Sequence, residues 1–307
     1  MSLEYPEFPP PPPPPLLPPP PPPPLAPPPP AVLPSSSKKK LYQAIADGKS
    51  PVEGDHEEAR ILLQQREGSF RKDLRWALFN KYVPSLIQDG PQCGLVALWM
   101  AAHLLQPPAG VSMETVVQTA MQRGYTAQGE VFSAQDMASL AEEVCGCRAE
   151  RLSGGMGGAN SIHILRHLSV GLPALIPYDE DFNHEPCMRK GHRAHWAVAS
   201  GTVLGVAHGS LNVGLFQADP TLSWLLLPKD SPCCPGEGVE EAYILAKQGK
   251  SLQYQLWPLE ALELSNAQLQ EMDPKRAADG SAYIVPQGGL EAGLSGQVVL
   301  LHRRTDA

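Results

Sequence analysis

No apolar run in this 307-residue chain approaches the roughly 20 residues that a membrane-spanning helix needs. Nor do the first residues show a basic stretch followed by an apolar one. The expectation is a cytosolic protein with no membrane partner. Basic charge is scarce: 24 Lys and Arg against 32 Asp and Glu leave a formal charge of −8, which argues against nucleic acid as a partner. Cysteine is present without a framework. The six thiols, Cys93, Cys145, Cys147, Cys187, Cys233 and Cys234, follow no regular spacing, and several lie too close in sequence to bridge one another, so reduced thiols are expected. The glycine-rich run at 154–158 lacks the Lys-Ser/Thr ending of a phosphate loop and reads as a connection. No cofactor is implied.

Proline, by contrast, is abundant and unevenly placed, with 20 of the 35 between Pro6 and Pro34. Such a segment cannot join a core. Residues 1–40 are therefore expected to be a disordered, polyproline II-like tail ending in the hinge Ser35-Ser36-Ser37-Lys38-Lys39-Lys40, ahead of one domain over 41–307. Preformed polyproline suits aromatic-lined grooves such as those of SH3 domains, and Glu7-Phe8-Pro9-Pro10-Pro11-Pro12 resembles the ligand of EVH1 domains. A solubilising tether is the plainer alternative.

Helical spacing is expected at 57–66 and 72–80, then from Cys93 to a stop at Pro107-Pro108. Further helices are expected at 112–123 and 133–144, opened by Ser112 and Ser133 and stopped by Gly124 and Gly146, and at 160–170. Strands are expected at 195–206, 213–217, 242–246, 252–257, 282–285 and 297–302, with a helix at 258–270. Residues 172–178 also read as a strand, placed at an edge or in irregular pairing by Pro173 and Pro177. Helices followed by antiparallel strands make an α+β domain.

The chemistry centres on Gln88-Asp89-Gly90-Pro91-Gln92-Cys93-Gly94, which runs straight into an apolar helix. A cysteine in a first helical turn meets unpaired N–H groups and the positive end of the dipole, which favour a thiolate. Gln88 and Gln92 offer amides to an oxyanion. The base is sought in His195, at the mouth of the apolar strand that continues Trp196-Ala197-Val198. A cysteine on a helix start and a later histidine on a strand is the papain-like order. A third member that orients the imidazole is either Asp219 or Gln248; both end strands, and the sequence leaves the choice open. A rival reading takes His184, Cys187, His192 and His195 as ligands of a zinc module.

The Gln-x4-Cys-Gly and His-Trp-Ala-Val pair resembles papain-like peptidases of the bacteriocin-processing type. Residues 84–100, 123–130, 176–187 and 247–251 more closely resemble the actin maturation proteases, in order and over about residues 70–302. That resemblance implies a papain-like cysteine aminopeptidase that removes the acetylated N-terminal residue of immature actin, with Cys93, His195 and Gln88 as its catalytic residues. It also implies profilin as a partner of the proline tail, and recognition of an acidic N-terminus by the cations Arg189 and Lys190. A polyproline adaptor for profilin and actin, without catalysis, is the alternative from another class.

Overall fold

The apolar runs of the C-terminal half pair into one sheet, and the N-terminal helices pack on it. In the computed structural model, which describes residues 57–107, 110–229 and 238–304, nine strands form it. These are β1 (Leu74–Asn80), β2 (Arg148–Leu152), β3 (Ala174–Asp179), β4 (Ala194–Ala207), β5 (Phe216–Ala218), β6 (Leu225–Pro228), β7 (Val239–Gln248), β8 (Gln255–Pro258) and β9 (Val298–His302). The order is β2-β9-β3-β4-β1-β6-β5, with β7 paired to β4 and β8 to β7. Only the short β1–β6 pairing is parallel. The tail expected at 1–40, its hinge, Cys233 and Cys234 lie outside the described residues.

Strand β4 is the axis of the sheet. β3 pairs with its first half, β1 with its second, and β7 runs beside both. Its side chains alternate between two cores, as strand geometry requires: Trp196 and Val198 face one, Ala197 and Ala199 the other. The strand crosses β1 so closely that a Cβ on Gly201 would stand 2.4 Å from the Phe79 carbonyl oxygen, so only glycine fits there.

Helices cover both faces. On one lie α2 (Cys93–Leu105), α3 (Met113–Gln122) and α4 (Ala134–Cys145); on the other lie α5 (Ala159–Ser169) and α6 (Leu259–Ala267). Ser112 and Ser133 cap α3 and α4 by accepting the Thr115 and Asp136 N–H groups, and Gly146 closes α4 in the left-handed region. Helix α2 stops at Leu105, short of the prolines, through left-handed Gln106. Helix α1 (Glu57–Gln65) is clamped to the sheet by two ion pairs. Glu58 takes the buried Lys247 ammonium at 2.8 Å, and Arg60 takes Asp219 at 2.9 Å.

Three expectations are corrected. Residues 72–80 do not continue as helix but form β1: Leu74, Trp76 and Leu78 enter one core while Ala77 and Phe79 enter the other, which only a period of two allows. β3 is not at an edge but interior, between β9 and β4, and of the two placements expected the irregular pairing is the one found. Its prolines are tolerated because Pro173 precedes the strand and the β9 pairing covers only Ala174 and Leu175, leaving no ladder N–H required at Pro177. Residues 282–285 form no strand; the Ile284 N–H is held instead by the Glu130 carboxylate at 2.8 Å. No helix among the described residues is long and apolar enough to cross a membrane.

Candidate active site

Cys93 is the first residue of α2, and Gly94 decides how close that helix comes to β4. A Cβ at Gly94 would stand 3.0 Å from the Trp196 ring and 2.8 Å from Met137, so the missing side chain lets the helix start rest on the indole. The indole N–H donates to the Val131 carbonyl at 2.8 Å, which fixes the ring. The backbone N–H of Trp196 faces the Cys93 sulfur. His195 is the residue before it, opposite Tyr178 in the β3–β4 register. Gln88, Cys93, His195, Trp196, Lys250 and Arg276 all line one cleft of about 520 Å³.

The strand end of β7 identifies the partner of the imidazole. Gln248 Oε1 accepts the Lys250 backbone N–H at 2.6 Å, so that atom must be the oxygen of the amide. His195 Nε2 meets the same oxygen at 3.2 Å and therefore carries a hydrogen. Nδ1 is left as the basic nitrogen. Asp219 stands elsewhere: it accepts the Thr221 and Leu222 N–H groups and holds Arg60. Burial opposes its charge, but those donors keep its carboxyl below the usual range. Of the two residues left open by the sequence, the structure brings Gln248 to His195 and takes Asp219 to helix α1.

One residue at the imidazole escaped the sequence. Glu180, wholly buried just after β3, places Oε1 3.9 Å from His195 Nε2. It also pairs with His184 at 2.6 Å, Arg193 at 3.3 Å and Lys250. Burial pushes its carboxyl up, but His195, Lys250 and His184 outweigh that and hold it below the usual range. In sequence it is one acid among several between Asp179 and Glu185, and no spacing singles it out.

The nucleophile and base are desolvated. Burial pushes the Cys93 thiol up, against the pull of the Trp196 N–H, Lys250 and Arg276. It pushes His195 down to about 4, against Glu180. The resting pair is thus thiol and neutral imidazole, where the helix dipole alone had suggested a thiolate. Gln88 donates its amide Nε2 to the Gly90 carbonyl at 2.6 Å, and its backbone N–H donates to Gly249 at 2.7 Å. The Gln88 amide thereby sits against the turn after Gln248, with one Nε2 hydrogen beyond the one Gly90 uses.

The loop ahead of His195 is organised by Asp179, whose carboxylate accepts the backbone N–H groups of Arg189 at 2.6 Å, Gly191 at 2.9 Å and Arg193 at 3.0 Å. Arg189 and Lys190 do not line the cleft. Arg189 stacks on Phe182 and Lys190 pairs with Glu271, whereas Arg193, Lys250, Lys275 and Arg276 do line it. The zinc reading is also corrected. His184 turns to Glu180, His192 to Glu271 and His195 to Gln248, and among the described residues no group of three or more His, Cys, Asp or Glu could share a cation.

Comparisons of sequence with known proteins agree on one family. The profile "Actin maturation protease-like, C-terminal domain" matches residues 83–203, which hold Cys93 and His195. The actin maturation protease of Danio rerio is 63% identical over 269 residues, covering 87% of this chain and 88% of that protein. That of Homo sapiens is 53% identical, covering 85% and 76%, and that of Drosophila melanogaster 29% identical, covering 72% and 69%. Among solved structures, a C39-like peptidase from Bacillus anthracis aligns over 73% of this chain and 96% of its own at 12% identity, with a TM-score of 0.38. With relatives of this identity matched over most of their length, the chain belongs to the actin maturation protease family.

Proposed function

We propose that this protein is a cysteine aminopeptidase that removes the acetylated N-terminal residue of immature actin. The observation that carries the reading is one cleft, in a member of this family, that joins a cysteine at a helix start to a histidine whose Nε2 is tied to an amide oxygen. His195 Nδ1 takes the Cys93 proton as sulfur attacks the carbonyl of the acetylated residue. The oxyanion is met by the Cys93 backbone N–H, which has no partner within the helix, and by the Gln88 amide. The imidazolium formed in this step lies beside the Glu180 carboxylate and donates to Gln248. It then gives its proton to the leaving amine of the next residue. Water, deprotonated by the same nitrogen, clears the thioester.

The neutral resting pair gives this step a reason to be coupled. Charge separation occurs only on attack, when Glu180 is already in place to stabilise the cation. Mass spectrometry of acetylated immature actin, incubated with this protein and with Cys93→Ala, tests the reading. Loss of one acetylated residue with the intact protein alone is the expected result; an unchanged terminus with both would overturn it. A cytoplasmic site of action and profilin binding by residues 1–34 belong to the same proposal. Deleting the tail should slow cleavage of profilin-bound actin more than that of a short peptide, and equal losses would remove the tail from the account.

A further inference from the structure

The cleft carries more cations than the proposed chemistry uses. In a chain of net charge −8, His192, Arg193, Lys250, Lys275 and Arg276 all line it. Three are already paired: His192 with Glu271, and Arg193 and Lys250 with Glu180. Two are not. Arg276 and Lys275, on the short helix α7 (Pro274–Ala277), make no ion pair and no side-chain hydrogen bond with any described residue.

The carboxylates on the same wall are all occupied by donors of the protein itself. Glu130 accepts the N–H groups of Ala127, Gln128 and Ile284 and the Thr126 hydroxyl. Asp273 caps α7 through the Lys275 N–H, and Asp279 accepts the Tyr283 hydroxyl at 2.6 Å and the Ser281 N–H. Glu130 and Asp279 are thus engaged at both oxygens and Asp273 at one, while the side-chain donors of Arg276 and Lys275 are unspent. Arg276 is also fixed in place. Its guanidinium lies over the Phe132 ring at 5.4 Å and the Tyr283 ring at 5.5 Å, and Tyr283 is anchored by Asp279. Stacking engages the faces of a guanidinium and leaves its five edge N–H donors unspent, in the fork geometry that matches a carboxylate. Phe132 directly follows Val131, whose carbonyl holds the Trp196 indole, so this cation shares its framework with the nucleophile.

We propose that Arg276 and Lys275 form a subsite for acidic side chains, and that it receives the residues that follow the scissile bond. The direction rests on the aminopeptidase reading: when the first residue is the one removed, every further side chain of the substrate lies on the leaving-amine side. The ligand class is an acidic peptide segment, bound through Asp or Glu carboxylates by a bidentate guanidinium assisted by an ammonium.

Two N-acetylated peptides test it, identical except that Asp-Asp or Asn-Asn follows the first residue. Binding is measured by fluorescence anisotropy to the Cys93→Ala protein, and kcat/KM on the wild type. The acidic peptide should bind about tenfold or more tightly, less so as salt rises. Adding Arg276→Gln and Lys275→Gln should erase that difference by weakening the acidic peptide alone. Arg276→Glu should turn the preference toward a Lys-Lys peptide, which guards against a merely unfolded variant. Equal binding of the two peptides, or a preference that survives the double substitution, would overturn the subsite. If the wild type cleaves neither peptide while the binding preference appears and disappears as stated, the subsite stands and the aminopeptidase reading falls.

Discussion

Replacing Glu180 by Gln isolates the one charge that the sequence did not reveal at the imidazole. The carboxylate stands 3.9 Å from His195 Nε2. At that separation and an effective dielectric near 20, a unit pair interacts by about 4 kcal/mol. Lys250 and Arg193 share the same carboxylate and offset part of this, leaving roughly 2 kcal/mol for the imidazolium that forms on attack. Glutamine keeps the shape but leaves the Lys250 ammonium beside the ring, so kcat/KM should fall about thirtyfold at pH 7. The pH dependence carries the sign. Neutral His195 is the active base, so kcat/KM should rise through the folded value of about 4 in the wild type. Glu180 raises that value; without it the acid limb moves lower still, while the plateau drops. The assay is kcat/KM on an acetylated peptide from pH 3.5 to 9, with near-UV circular dichroism at each pH to confirm the fold. A second change, Lys250→Met in the Glu180→Gln background, should recover part of the loss. A variant within twofold of wild type, with its acid limb unmoved, would refute the electrostatic role.

Other substitutions separate positioning from support. Gln248→Leu removes the acceptor that sets the His195 tautomer, and should lower kcat by about tenfold, the worth of one hydrogen bond, with KM little changed. Asp219→Ala should cost about 2–3 kcal/mol of stability, measured by urea denaturation, because the Thr221 and Leu222 N–H groups lose their acceptor and Arg60 keeps only Glu57, yet leave kcat/KM of the folded fraction intact; a large loss of kcat would return Asp219 to the catalytic group. Gly94→Ala forces a methyl between α2 and a Trp196 ring that Val131 holds. Met137 can yield but the indole cannot, so a loss of roughly 1–3 kcal/mol is expected together with reduced activity. Unchanged melting and rate would show that the helix start tolerates displacement.

The parts of the fold read from the sequence were those fixed locally. Ser112 and Ser133 before amphipathic runs, and Gly146 after one, declare helix ends by hydrogen bonding within a turn. The cysteine helix and the strand of His195 were legible for the same reason. Misreadings fell where partners far along the chain decide. Leu74 and Leu78 suit a helical face as well as a strand, and only β4, some 120 residues on, settles the matter. Pro177 is excluded from a central strand unless the neighbour ends early, as β9 does. Within the site, Cys93 stood out because a turn delivers it to a helix, whereas Glu180 and Arg276 matter through what surrounds them in space. Gln248 could not be preferred to Asp219 until the Lys250 N–H fixed which end of its amide faces the ring.

The Asp179 carboxylate has a further consequence for how this region can vary. The chain leaves β3 at Asp179 and returns at Arg193, and the two ends are stitched together. The Cys187 N–H donates to the Asp179 carbonyl, the Glu180 N–H donates to the Arg193 carbonyl, and the carboxylate gathers the Arg189, Gly191 and Arg193 N–H groups. Residues 181–186 are thus a closed excursion whose base is rigid whatever its tip contains. At its tip Asn183 is exposed and can be exchanged by design without moving the histidine two residues past the stitch, whereas His184 is tied to the Glu180 carboxylate and Phe182 lies under Arg193. That makes the tip a natural place for a peptidase to change its outward contacts while keeping its chemistry.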